Sequence, residues 1–197
     1  MAVVVIGGQS RNVGKSSVVA ALIAGLPQYQ WTAFKISQHR HDDRADQSWA
    51  IGEEQEASGE SDTSRFLAAG AIQAWRVSAE PGYLAKAMPA IRERLVQARN
   101  AIIESNSILN FVRPDLYLTV LNPAIADFKK SAQEFLDRAD AVILHEATNE
   151  TEMLPGWKEI SGRLNRPIFT IQPPRYVTPA MVDFVEAKLR SLGAGAM

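Results

Sequence analysis

No cysteine occurs among the 197 residues, which excludes disulfides, thiolate metal sites, iron–sulfur clusters and a cysteine nucleophile. An excess of charge of either sign is missing as well. Lys and Arg number 21 against 22 Asp and Glu, so no global field draws the chain to nucleic acid or an anionic membrane. No apolar run approaches the roughly 20 residues that cross a bilayer. The basic segment that opens a signal peptide is also absent, because residues 1–6 run directly into a glycine-rich stretch. The expectation is a soluble, cytoplasmic protein with neither a membrane nor a nucleic-acid partner.

What is present is the make-up of an ordinary globular protein. At 46% hydrophobic and 22% charged residues, a chain of this length can bury a full core as one domain. Apolar runs alternate with helical patterns, the signature of an α/β fold with a mainly parallel sheet. Residues 2–6 form a β-branched run of the kind buried on both faces. Further strands are predicted at 31–37, 71–78, 101–104, 115–121, 139–145 and 167–171. Helices are predicted at 15–26, from about 80 to 98, and at 126–138, 155–164 and 179–192. The whole predicts a three-layer arrangement, about seven strands with helices on both faces, over residues 1–197. Residues 39–64 are polar and without sustained period, and read equally as a lid or as a disordered insertion.

Between the first strand and the first helix stands Gly7-Gly8-Gln9-Ser10-Arg11-Asn12-Val13-Gly14-Lys15-Ser16-Ser17. The usual phosphate loop is spaced Gly-x-x-x-x-Gly-Lys-Ser/Thr in that same context. Counting back from Gly14 puts Gln9 at the first position, with Gly8 one residue earlier. The loop is therefore one residue longer than the common form. Backbone N–H groups of Asn12, Val13, Gly14, Lys15, Ser16 and Ser17 can curl around a phosphate at the positive end of the helix. Lys15 is placed to reach the β- and γ-phosphates, and the Ser16 hydroxyl to ligate Mg²⁺. The expected ligand is ATP or GTP with magnesium.

The five residues between Gly8 and Gly14 make this loop resemble that of dethiobiotin synthetase. Three other segments are similar to the GTP-binding adaptor of molybdopterin-guanine dinucleotide biosynthesis, in the same P-loop superclass. They are Phe34-Lys35-Ile36-Ser37-Gln38-His39-Arg40-His41-Asp42, the stretch Ser61-Asp62-Thr63-Ser64-Arg65 running on to Ala69-Gly70-Ala71, and Ile102-Ile103-Glu104-Ser105. Ser105 departs from the glycine that follows the acid in that family. The resemblance implies a nucleotide hydrolase or a GTP-binding adaptor of molybdenum cofactor biosynthesis. It equally admits an ATP-dependent synthetase with a small-molecule substrate. A nucleotide-dependent interaction module with a protein partner, switched by ordering residues 39–64, is the reading from another class. Homodimers across the nucleotide face are common in the superclass.

Individual residues follow from these patterns. Glu104 ends an apolar strand, where a carboxylate can meet Mg²⁺ or stand simply solvated. Lys35 interrupts an apolar strand, where an unpaired charge is costly. It either holds a substrate carboxylate or the transferring phosphoryl group, as the resembled synthetase implies, or snorkels from a sheet edge. Lys15, Lys35 and Glu104 are the candidate catalytic set, Ser16 and Glu104 the candidate metal ligands. Ser105, Asn106 and Ser107 could bond substrate or cap a turn. Asp62 could assist magnesium, but is read as the cap of a helix starting near Thr63. Arg65 would fall on that helix's first turn, facing phosphate. His39, His41, Asp42 and Asp43 form a polar cluster, read as loop rather than metal site. Asn149 is the candidate base-reading residue, with Asn122 its rival, since no Asn-Lys-x-Asp motif occurs.

Overall fold

The computed structural model describes residues 1–38, 48–146 and 165–193. The chain begins with β1 (Val3–Gly8), the glycine loop and α1 (Lys15–Gly25), then β2 (Trp31–Ser37) and β3 (Trp49–Glu53). Next come α2 (Asp62–Ala68), β4 (Gln73–Ala79), α3 (Leu84–Gln97) and β5 (Asn100–Glu104). β6 (Leu116–Leu121), α4 (Lys130–Phe135), β7 (Ala141–His145), β8 (Ile168–Ile171) and α5 (Pro179–Ser191) complete the described elements. The strands form one sheet in the order β3-β4-β2-β5-β1-β6-β7-β8. Every pairing is parallel except β3 with β4.

The unbroken apolar run of β1 follows from burial on both sides. Val4 and Ile6 face α1 and α5, packing with Val18, Leu22, Ile23, Met181 and Val185. Val3 and Val5 face the other way, into a cluster with Ile91, Leu95 and Met88 of α3 and Phe135 of α4. Two apolar cores thus sandwich the sheet, giving the predicted three layers. Among the described residues no helix is long and apolar enough to cross a membrane.

Two expectations differ from the structure. The sheet has eight described strands where about seven were expected. The extra one, β3, lies inside the stretch read as aperiodic; only Trp49 and Ile51 pack inward. Five residues with two inward apolar positions carry too weak an alternation to stand out, and antiparallel pairing with β4 supplies the order. The helix expected over 126–138 is reduced to α4 and a closing 3₁₀ turn, Leu136–Arg138. Its first residues are instead held by the glycine loop, as described below. The helix expected at 155–164 lies outside the described residues.

One buried side chain ties the strand starts together. Asn100 accepts from the Ala2 N–H at 2.9 Å and donates to the Tyr29 carbonyl at 2.7 Å. Leucine there would leave both main-chain groups without a partner. Asn100→Leu is expected to lower the unfolding free energy by about 2–3 kcal/mol in urea titrations; an unchanged midpoint would contradict it.

Candidate functional site

The carboxyl ends of β1, β2 and β5 meet at one place, and three polar side chains converge there. Ser16, opening α1, donates to Glu104 Oε2 at 2.7 Å. Lys35, near the end of β2, donates to Glu104 Oε1 and, at 3.2 Å, to Ser16 Oγ. A third oxygen group arrives from α2: Asp62 Oδ2 lies 2.8 Å from the Lys35 ammonium. Register explains the convergence, because Lys35 pairs directly with Glu104 across β2 and β5, and Ile6 pairs with Glu104 across β1 and β5.

The Glu104 side chain is 2% exposed, so its charge must be balanced locally; the lysine does this. Asp62 is half-buried. Burial alone would raise its carboxyl, but the hydrogen bonds and charges of Lys35 and Arg65 outweigh that and hold it below the ordinary value. The helix-cap reading of Asp62 is corrected here. Ser61 is the cap, accepting from the Ser64 N–H at 3.0 Å in a capping box, which frees Asp62 to face the cleft. Arg65 pairs with Asp62 from the same helix and also lines the cleft.

The glycine loop turns above this cluster. Asn12 and Gly14 have φ of 58° and 86°, a conformation that glycine adopts freely and asparagine tolerates. A Cβ at Gly14 would also sit 2.8 Å from the Tyr176 ring. Val13 is fully buried in the core, so only its backbone is available to a ligand. Its carbonyl lies 3.0 Å from His145 Nε2 at the end of β7. Lys15 turns back and donates to the Ser10 carbonyl at 2.5 Å. Burial lowers its ammonium pKa to about 8; Glu104 opposes this, and Lys35 and Lys129 add to it.

Two side chains lock the loop onto the sheet. Asn106 accepts from the Gly8 N–H and donates to the Gly8 carbonyl, each at 2.8 Å. A Cβ at Gly7 would collide with that amide. Asn106 is thus a clamp on the loop and makes no side-chain cap, whereas Ser105 does cap its turn by accepting from the Ile108 N–H at 3.3 Å. Gln9 is 1% exposed and bonds the segment after β6. Its amide takes the Asn122 N–H at 2.9 Å and gives to the Ile125 carbonyl at 2.5 Å. Asn122, the rival base reader, spends its side chain on the Ala124 N–H. Asn149, His39, His41, Asp42 and Asp43 lie outside the described residues.

The cleft so formed is about 680 Å³ and includes Gly8, Asn12, Gly14, Lys15, Ser16, Ser17, Lys35, Asp62 and Glu104. Sequence reasoning missed two of its features and the clamping role of Asn106. Lys129 had no periodic signal, and Tyr176 lies in a Pro-rich turn beyond the last recognised motif. Gln9 was visible as an anomaly, without a partner to explain it.

Strand order, glycine loop and the acid at the end of β5 together define the P-loop NTPase fold. Solved structures share it. LpxK from Aquifex aeolicus, in complex with ATP, superposes with a TM-score of 0.52 at 18% identity over 86% of this chain. The chain spans about half of LpxK, 53% of its length. HypB from Helicobacter pylori, in complex with nickel, gives a TM-score of 0.52 at 16% identity, covering 95% of this chain and 87% of its own. MobB from Bacillus subtilis overlaps less well, with a TM-score of 0.40 at 15% identity over 95% of this chain and 97% of its own. No family model and no curated protein matches the sequence. At these identities the likeness to LpxK and HypB establishes the common fold.

The depressed Lys15 pKa has a consequence for stability. Unfolded, this ammonium keeps a proton up to about 10.5; folded, only to about 8. Between those values the unfolded chain binds more protons, so stability rises with pH. The ligand-free protein is expected to gain up to about 3 kcal/mol from this group across that window. Lys15→Met should flatten the slope in chemical denaturation at pH 7.5 to 10.5, and an identical slope in both proteins would refute the assignment.

Proposed function

We propose that this chain binds a nucleoside triphosphate, ATP or GTP, with Mg²⁺, and hydrolyses or transfers the terminal phosphate. The observation that carries the reading is the convergence of Ser16, Glu104 and Asp62 oxygens on the Lys35 ammonium, in the cleft that Lys15 also lines at the mouth of the glycine loop. Hard oxygen donors of this kind suit magnesium. Ser16 and Glu104 would hold the ion, with Asp62 joining them, and when bound it supplies positive charge to the phosphate oxygens.

The chain's own groups do the rest. Backbone N–H groups from Asn12 to Ser17 surround a phosphate at the start of α1, and Lys15 neutralises it. A half-buried ammonium with its pKa already depressed gains most from an anion beside it. Lys35 bridges the two carboxylates and itself lines the cleft, so its ammonium can pass from Glu104 and Asp62 to a phosphoryl oxygen or a substrate carboxylate. Stabilising charge at fixed positions is the main contribution a protein makes to such a transfer.

The resemblance of residues 34–42, 61–71 and 102–105 to the molybdopterin-guanine dinucleotide adaptor favours a GTP-binding adaptor of molybdenum cofactor biosynthesis, with a protein partner or a second copy of the chain. A synthetase-like reading is favoured by Lys35, whose ammonium borders a cleft large enough for a small second substrate besides the phosphates. Turnover stimulated by a small carboxylate would select the synthetase.

A thermal-shift screen of ATP, GTP and their analogues with Mg²⁺ tests the common claim. A nucleotide at a hundred times its dissociation constant adds about 2.7 kcal/mol. Lys15→Ala is expected to abolish magnesium-nucleotide binding in calorimetry, and unchanged affinity in that variant would falsify the proposal.

A further inference from the structure

The segment between β6 and α4 is tied to the glycine loop along its whole length. Gln9 donates its main-chain N–H to the Val120 carbonyl at 2.9 Å and accepts from the Lys129 N–H at 2.9 Å. Its side chain adds the bonds to Asn122 and Ile125. A single buried residue thus spends both its main-chain and its side-chain groups on residues 120–129. An apolar side chain could fill the same volume but could not hold a ten-residue segment in this path.

What that path delivers to the cleft is Lys129. Its side chain is half-buried and lines the cleft together with Ser10, Arg11 and Lys15. Among the described residues no carboxylate pairs with it within salt-bridge distance. The charges that act on it are chiefly cationic: burial and then Arg11 lower its pKa, Asp127 opposes them, and Lys35 adds to the lowering. Lys129 in turn acts on Lys15. Among the described residues, three lysines, Lys15, Lys35 and Lys129, line the cleft with two carboxylates, Asp62 and Glu104, and both carboxylates are already engaged with Lys35. In a chain of net charge −1, such a local excess is unfavourable unless a polyanion fills it.

We infer that Lys129 is a phosphate-binding residue, held by Gln9 at the end of the cleft where the terminal phosphate of a nucleoside triphosphate rests. The inference rests on the nucleotide reading above and adds to it a cation from outside the glycine loop. The terminal phosphate is singled out because Lys129 is tied to the Gln9 carbonyl, next to the Ser10 carbonyl that holds the Lys15 ammonium, and the lysine of such a loop reaches the β- and γ-phosphates. Tyr176 flanks Gly14 and lines the same cleft.

The test compares ATPγS and GTPγS with ADP and GDP, all with Mg²⁺, by calorimetry on the full chain. Lys129→Ala is expected to lose about tenfold in affinity for the triphosphate analogue that binds, with diphosphate affinity unchanged. Lys129→Arg should retain most of it. Gln9→Leu, checked for folding by circular dichroism, should shift the triphosphate-to-diphosphate ratio in the same direction. A ratio unchanged in Lys129→Ala, or equal losses for both classes, would overturn the role of Lys129 while leaving nucleotide binding intact. A wild-type chain that binds none of the four would overturn both.

Discussion

A carboxylate shut away from water has to be neutralised, and Glu104 is neutralised by Lys35. That one ion pair reaches into four elements around the cleft. It fixes the end of β5 against the end of β2, orients the Ser16 hydroxyl at the start of α1, and draws Asp62 of α2 to the same ammonium. Removing Lys35 would leave the buried Glu104 charge uncompensated, a change that typically costs about 3–5 kcal/mol. The geometry of the site is therefore part of the stability of the sheet. Lys35 reads as an anomaly in an apolar strand because the partner that makes it tolerable lies 69 residues away.

The legibility of the fold follows the strength of local pattern. β1 and β6 are long apolar runs because both faces are covered, and such runs announce themselves. β2 was readable to the residue, bounded by Gln30 and the polar stretch after Ser37. β3 was not, since its order comes from the neighbouring strand rather than from its own alternation. α4 shows the opposite failure, an amphipathic pattern overruled by tertiary bonds from Gln9.

In the site, residues whose placement is set by the backbone were legible: the positions of Gly14, Lys15 and Ser16 at the start of α1 follow from spacing alone. Residues whose role depends on which way a side chain turns were not. Asp62 and Ser61 are adjacent and both suit a helix start, and only the capping geometry decides that the serine caps while the aspartate faces the lysine. Asn106 carries a serine-flanked turn signal that any loop could show. Its clamp on Gly8 depends on Gly7 having no side chain, a relation between residues 99 positions apart.

The place of Gln9 changes what the longer loop means. With Gln9 sealed into the scaffold, the turn that remains free to wrap a ligand runs from Ser10 to Gly14, as short as in loops of ordinary length. The additional residue does not widen the ring of amides; it serves as a hinge pin on which residues 120–129 hang. Insertions are usually pictured as slack added to a surface, but here the added length has been converted into rigidity. Sequence change in such a chain can then proceed through the segment that hangs from the pin, without disturbing the backbone amides at the start of α1.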